Sequence, residues 1–188
     1  GVICDRCDGT VTGNPVAIAL TGPDGSFTLT DVPHGTNIPL VIQLGRWRRV
    51  TSIDAVTACA TESIASAKTR LPQNQSEGHI PAMAIASGDA DPFECLLLKI
   101  GLDEDEITRP TGTGRVHFYK GTDNPGLDLT PAAPRATELY ASLASLKKYD
   151  VVLLPCEGGE YNKGRDDGDN LDPDPRPLLA QYVNDGGR

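Results

Sequence analysis

A chain of 188 residues with a formal charge of −9, from 17 basic and 26 acidic side chains, carries no basic stripe. Such a field repels phosphate backbones, so no nucleic acid partner is expected. Its longest apolar runs, IPLVIQL and YDVVLLP, are far too short to cross a bilayer, which excludes a transmembrane segment from the reading.

The 20 glycines and 15 prolines predict many turns and short elements, in one large domain or two small ones. The first residues hold Cys4 and Cys7 in a C-x-x-C; Cys59, Cys95 and Cys156 are scattered. A zinc site needs a second pair at ligand spacing, and His34, His79 and His117 do not supply one. A thioredoxin-type motif follows a strand inside a βαβ unit, whereas this pair precedes a β-rich stretch. The cysteines are therefore read as disulfide candidates in an oxidising compartment, with free thiols and metal or redox chemistry as the alternatives. No cofactor and no metal is implied.

From residue 11 to about 64 the pattern is short β segments between turns. PVAIAL is followed by Pro23-Asp24-Gly25, where proline presets φ and glycine takes the positive-φ position. In SFTLTDV, Phe27, Leu29 and Val32 face one way and Ser26, Thr28 and Thr30 the other. IPLVIQL and RWRRVTSI come next, and no helical period is present. Trp47 lies among Arg46, Arg48 and Arg49. A strand that buries its tryptophan and exposes the arginines explains this, as would a cation–π site.

The run TGPDGSFTLTDVPHGTNIPLVIQL resembles the carboxypeptidase regulatory-like modules. It does so through Asp24-Gly25, Phe27, Leu29, Val32-Pro33 and Gly35, in order. The resemblance implies a prealbumin-like β-sandwich over residues 1–68, a fold that serves as a structural or adhesive unit.

Residues 69–79, polar and without period, read as a linker. Beyond them IPAMAIA is a strand buried on both faces. DPFECLLLKIG is a helix with Asp91 as N-cap, Pro92 at N1, Glu94 completing a capping box and Gly101 ending it. RVHFY is a strand, Leu139, Leu143 and Leu146 form a helical stripe, YDVVLLP is a strand, and PLLAQYVNDGG is a helix closing on glycine. The alternation predicts a parallel sheet covered by helices over residues 80–188. A helix ending in Gly-Gly is normally followed by another strand, so the α/β part is expected to be incomplete. An exposed edge of that kind invites self-association or retention of a C-terminal fragment.

YDVVLLPCEGGEY and LLAQYVNDGGR are similar to the class I glutamine amidotransferase-like fold, a flavodoxin-like sheet. The likeness is greatest to divergent members found in uncharacterised bacterial cell-surface proteins and lipoproteins. The resemblance places the nucleophile elbow of catalytic relatives after a later strand, past Arg188, so no catalytic residue is carried over. In a flavodoxin-like order the first and third strands are neighbours, about 4.8 Å apart. Cys95 and Cys156 then fall within the reach of a disulfide, about 4.4–6.8 Å between Cα atoms. Cys59 is left to pair with Cys4 or Cys7.

Parallel sheets place ligand sites at the C-terminal ends of their strands. Those ends carry Ser87, Asp89, Asp91, Tyr119, Lys120, Cys156, Glu157 and Glu160, with Asp89, Glu157 and Glu160 as ligand-site candidates. A nucleophilic Cys156 needs a base within reach, and His117 is the one histidine near a strand end. RDDGDNLDPD carries five aspartates without the EF-hand order and reads as a solvated loop. The chain is thus an α+β protein in two parts. Its expected role is a non-catalytic binding or structural module of an exported protein, extracellular or in the bacterial cell envelope, with an unknown ligand. The alternative is a piece of an amidotransferase-like hydrolase whose nucleophile lies beyond the C-terminus.

Overall fold

The computed structural model describes residues 13–88, 91–121, 132–156 and 175–188. Two compact units are present. The larger comprises Gln43–Arg49 and the described residues of Leu71–Arg188; the smaller comprises the described residues up to Ile42, together with Val50–Arg70. An antiparallel three-stranded sheet is built from β1 (Gly35–Leu44), β2 (Trp47–Val56) and β3 (Gly78–His79), in that order. A separate four-stranded parallel sheet makes the whole a mixed α+β architecture.

In the smaller unit, alternation along β1 and β2 buries Leu40 and Ile53 on one face and leaves Val41 and Val50 exposed on the other. The turn at Pro23–Gly25 forms as its residues require. The Gly25 N–H donates to the Gly22 carbonyl (2.9 Å), Gly25 takes φ +79°, and the Asp24 carboxylate accepts from both the amide and the hydroxyl of Ser26. After the turn, Phe27, Leu29 and Val32 are half-buried while Ser26, Thr28 and Thr30 are exposed. Neither this stretch nor PVAIAL pairs as a strand among the described residues. Val16, Ile18 and Leu20 are 78%, 58% and 75% exposed, so the side of PVAIAL turned inward offers only Ala17 and Ala19 to a core. A helical turn, α1 (Ser66–Thr69), is tied to β2 by Lys68, whose ammonium meets the Ser52 carbonyl and the Asp54 carboxylate.

In the larger unit, β4 (Met83–Ala86), β5 (Ile107–Thr108), β6 (Val116–Tyr119) and β7 (Val151–Leu153) lie in the order β5-β6-β4-β7, all parallel. β4 is buried at every position, as its unbroken apolar run predicts for an inner strand. Met83, Ile85, Val116 and Phe118 pack on one face with Ile80, Leu102 and Leu97 of α2 (Phe93–Lys99). Ala84, Ala86 and Tyr119 pack on the other face under α3 (Ala136–Leu139), α4 (Leu143–Leu146) and α5 (Arg176–Asn184). The Leu139–Leu146 stripe is two helical turns, not one helix. Ser142 breaks it in extended conformation, and its hydroxyl oxygen accepts from the Ser145 N–H to cap α4.

Residues 73–77, read from sequence as linker, are bonded into the larger unit. The buried Glu106 carboxylate accepts from the Gln75 amide (2.7 Å), the Gln75 side chain (3.0 Å) and the Arg115 amide (3.0 Å). The Asn74 side chain donates to Asp103, and the Asp103 N–H to the Gln73 carbonyl. Their polarity serves hydrogen bonds. Trp47 is half-buried against the core of the same unit and its indole N–H donates to the Pro72 carbonyl (2.9 Å). Arg46 and Arg48 stay exposed. Arg49 is half-buried, 3.8 Å from the Glu77 carboxylate, so the expected exposure holds for two of the three arginines.

Candidate functional site

The C-terminal ends of β4, β6 and β7 converge because the three strands are parallel neighbours. Ser87 follows β4 and is buried; its N–H donates to the Tyr119 carbonyl (2.9 Å), and its hydroxyl oxygen accepts from the Gly121 N–H (2.7 Å). Gly88 is wedged against the loop after β7. A Cβ there would stand 2.7 Å from Pro155 Cγ and 2.8 Å from the Cys156 carbonyl oxygen, so only glycine lets the two loops approach. The backbone of Lys120 pairs with the chain entering α3, through Pro134 and Ala136. These polar groups fasten the strand ends to one another.

Asp91 does not cap α2. The helix begins after Pro92 with no side-chain cap, and one Asp91 carboxylate oxygen accepts from the Cys156 N–H at 3.3 Å. The capping box also fails to form. Glu94 is buried instead, and its Oε2 has no hydrogen-bond partner. The C-terminus behaves as read: Gly101 takes φ +100°, its N–H donates to the Leu98 carbonyl, and the Leu102 N–H donates to that of Leu97.

Cys59, Cys95 and Cys156 are exposed, and no disulfide joins them to one another. Helix phase accounts for Cys95: α2 buries Glu94 and Leu97, and the position after Glu94 turns to solvent. The other ligand-site candidates, Asp89, Glu157 and Glu160, lie outside the described residues, as do Cys4, Cys7 and the aspartate run of 165–174.

His117 is not placed to serve Cys156. It lies mid-strand, half-buried, with Nδ1 2.9 Å from the Tyr149 hydroxyl. The Tyr149 hydroxyl is in turn 2.8 Å from that of Tyr119, and the Tyr182 hydroxyl donates to the Tyr149 carbonyl (3.0 Å). Burial raises all three phenols above their ordinary value, Tyr149 most clearly, and desolvation holds His117 below the usual imidazole value. The cluster is therefore a neutral chain of hydrogen bonds between sheet and helices. His79 is engaged elsewhere, with Nδ1 2.6 Å from the Arg46 carbonyl oxygen.

No family model, curated protein or solved structure matches the chain. Among the described residues no group of three or more His, Cys, Asp or Glu side chains is placed to hold a metal ion. No helix among them is long and apolar enough to cross a membrane.

Two features of this unit had no sequence signal. Glu106 and Gln75 stand 31 positions apart, and the acidic run DEDE gives no hint that one of its members is buried. Tyr149 is 30 positions from Tyr119, so only sheet and helix packing joins the two hydroxyls.

Proposed function

We propose that this chain is a non-catalytic binding or structural module of an exported bacterial cell-envelope protein. In this reading a prealbumin-like β-sandwich comes first and a flavodoxin-like sheet second. The observation that carries the non-catalytic part is the engagement of His117. A thiol nucleophile is activated by a base within hydrogen-bond reach, and the histidine nearest a strand end is held instead on Tyr149. Ser87 and Asp91 at the strand ends are likewise spent on backbone amides.

The envelope location rests on the resemblance of the two segments to modules of cell-surface proteins and on the cysteine usage. It carries with it a Cys95–Cys156 bridge, formed on oxidation of thiols that lie exposed after neighbouring strands. Peptide mapping without reductant tests the bridge: a linked pair is expected, and separate alkylation of both residues after air oxidation would remove it. Ammonia release from glutamine tests the rest. We expect none above the buffer rate, and the same result for Cys156→Ala. Turnover that disappears in Cys156→Ala would replace this reading with a hydrolase.

A further inference from the structure

In the smaller unit, exposure alternates from Val16 to Leu20 as it does in an extended chain. Val16, Ile18 and Leu20 are each more than half exposed, and Ala17 and Ala19 are half-buried. The backbone of this stretch makes no hydrogen bond with any described residue. Just after it, the Gly22 N–H donates to the Ser26 carbonyl (2.8 Å), and the Gly22 carbonyl accepts from the Gly25 N–H. Peptide groups alternate between the two edges of an extended chain, so those of Ala17 and Ala19 are turned to the edge away from Ser26.

Two properties of the sequence say what fits that edge. No charged side chain stands between Asp8 and Asp24, although the whole chain carries −9, so two copies can meet here without opposing like charges. Exposed edges are commonly guarded by charged side chains, lysine above all, and this one has none. The order Val-Ala-Ile-Ala-Leu also has the same pattern of large and small side chains in either direction, centred on Ile18. A partner related by a two-fold axis requires such self-complementarity, whereas the strand of a different protein does not.

We propose that the edge of Val16–Leu20 pairs with the same edge of a second copy, antiparallel, about a two-fold axis at Ile18. Ala17 of one copy faces Ala19 of the other, and the two exchange both of their N–H···O=C bonds. Ile18 then lies opposite Ile18, and Val16 opposite Leu20. These are the non-hydrogen-bonded positions, where cross-strand side chains come closest. Strands this short bury far less than the roughly 1,200 Å² of a stable complex, so the dimer is transient and forms at high concentration. The contact belongs to the smaller unit alone and is independent of the binding-module reading.

Sedimentation velocity from about 10 µM to about 1 mM protein tests it, with reductant present so that Cys59, Cys95 and Cys156 do not cross-link copies. The parent should be a monomer at the lower end and a monomer–dimer mixture at the upper. Ile18→Lys sets two ammonium groups opposite each other on the axis and should leave only monomer. Val16→Lys/Leu20→Glu in one chain sets opposite charges across from each other and should keep the dimer, whereas Val16→Lys/Leu20→Lys opposes like charges and should lose it. All three side chains are exposed, so each variant should melt with the parent. Should Ile18→Lys melt early, Ile18→Glu, which opposes two carboxylates, takes its place. A parent that stays monomeric throughout, a dimer that survives a charge at Ile18, or double variants that associate alike would overturn the proposal.

Discussion

His117 is half-buried, and its contact with Tyr149 does not need a charge. Desolvation, the largest cause, holds its folded-state pKa below the ordinary value of 6.5. The unfolded chain therefore takes up a proton at a higher pH than the folded one. No stability is lost on this account above the unfolded value, and the loss sets in as pH falls from about 6.5 through the folded value. Urea unfolding between pH 7.5 and 5.5 should show that decline, and His117→Gln should flatten it; an unchanged slope in the variant would sink the assignment. Glu106 is the other residue with a testable burden. Its carboxylate accepts three N–H groups, and an amide in its place would turn a donor toward them. Glu106→Gln should cost about 2 kcal/mol in the same assay. A neutral result would mean that residues 73–77 are not held as described.

Among the elements, α5 is set by its last turn. Gly187 lies against the Tyr182 ring, and a Cβ there would stand 2.1 Å from Cζ of a side chain that is itself 2% exposed. Gly187→Ala forces either the ring or the chain to move. It should cost about 1–3 kcal/mol, the range for overpacking a buried site. Gly186→Ala places a side chain at φ +104° and should cost about 1 kcal/mol. Thermal melting followed by circular dichroism checks both, and Gly187→Ala should be the more damaging of the two. This helix end was legible because a glycine stop acts through local geometry. The start of α2 was not: Asp-Pro-x-Glu has the letters of a capped helix, but Asp91 finds the amide of Cys156, 65 positions away.

At the scale of the molecule, Trp47 belongs to the same compact unit as the parallel sheet, although it stands well before it in sequence. Trp47→Ala removes half-buried apolar surface and the bond to Pro72, and should cost about 3 kcal/mol by urea unfolding. Trp47→Phe keeps most of the surface and should cost nearer 1 kcal/mol. Equal losses would mean that the hydrogen bond to Pro72, rather than the apolar surface, holds the ring in place. The charge of −9 acts on the whole surface. Duplex DNA at about 50 mM salt should therefore not be retained, a condition under which a cationic binding face would hold it.

The parallel sheet was written in the chain. MAIA and VHFY are apolar enough for an interior, the helices between them have their own period, and strands joined by helices run parallel for want of another connection. The turn at Pro23–Gly25 and the glycine stops were legible for the same local reason. Strand pairing in the smaller unit was not. PVAIAL alternates as a strand should, yet no partner is found for it among the described residues, and Val16, Ile18 and Leu20 remain exposed. Pattern gives a segment two faces, but a partner decides which one is buried. The same holds for the polar side chains. Sequence shows that Asp91, Glu94, Glu106 and His117 can ionise or hydrogen-bond. Only the fold decides that Glu106 meets Gln75, that His117 meets Tyr149 and that Glu94 is buried with an oxygen unpartnered, because each outcome depends on atoms brought together across the chain.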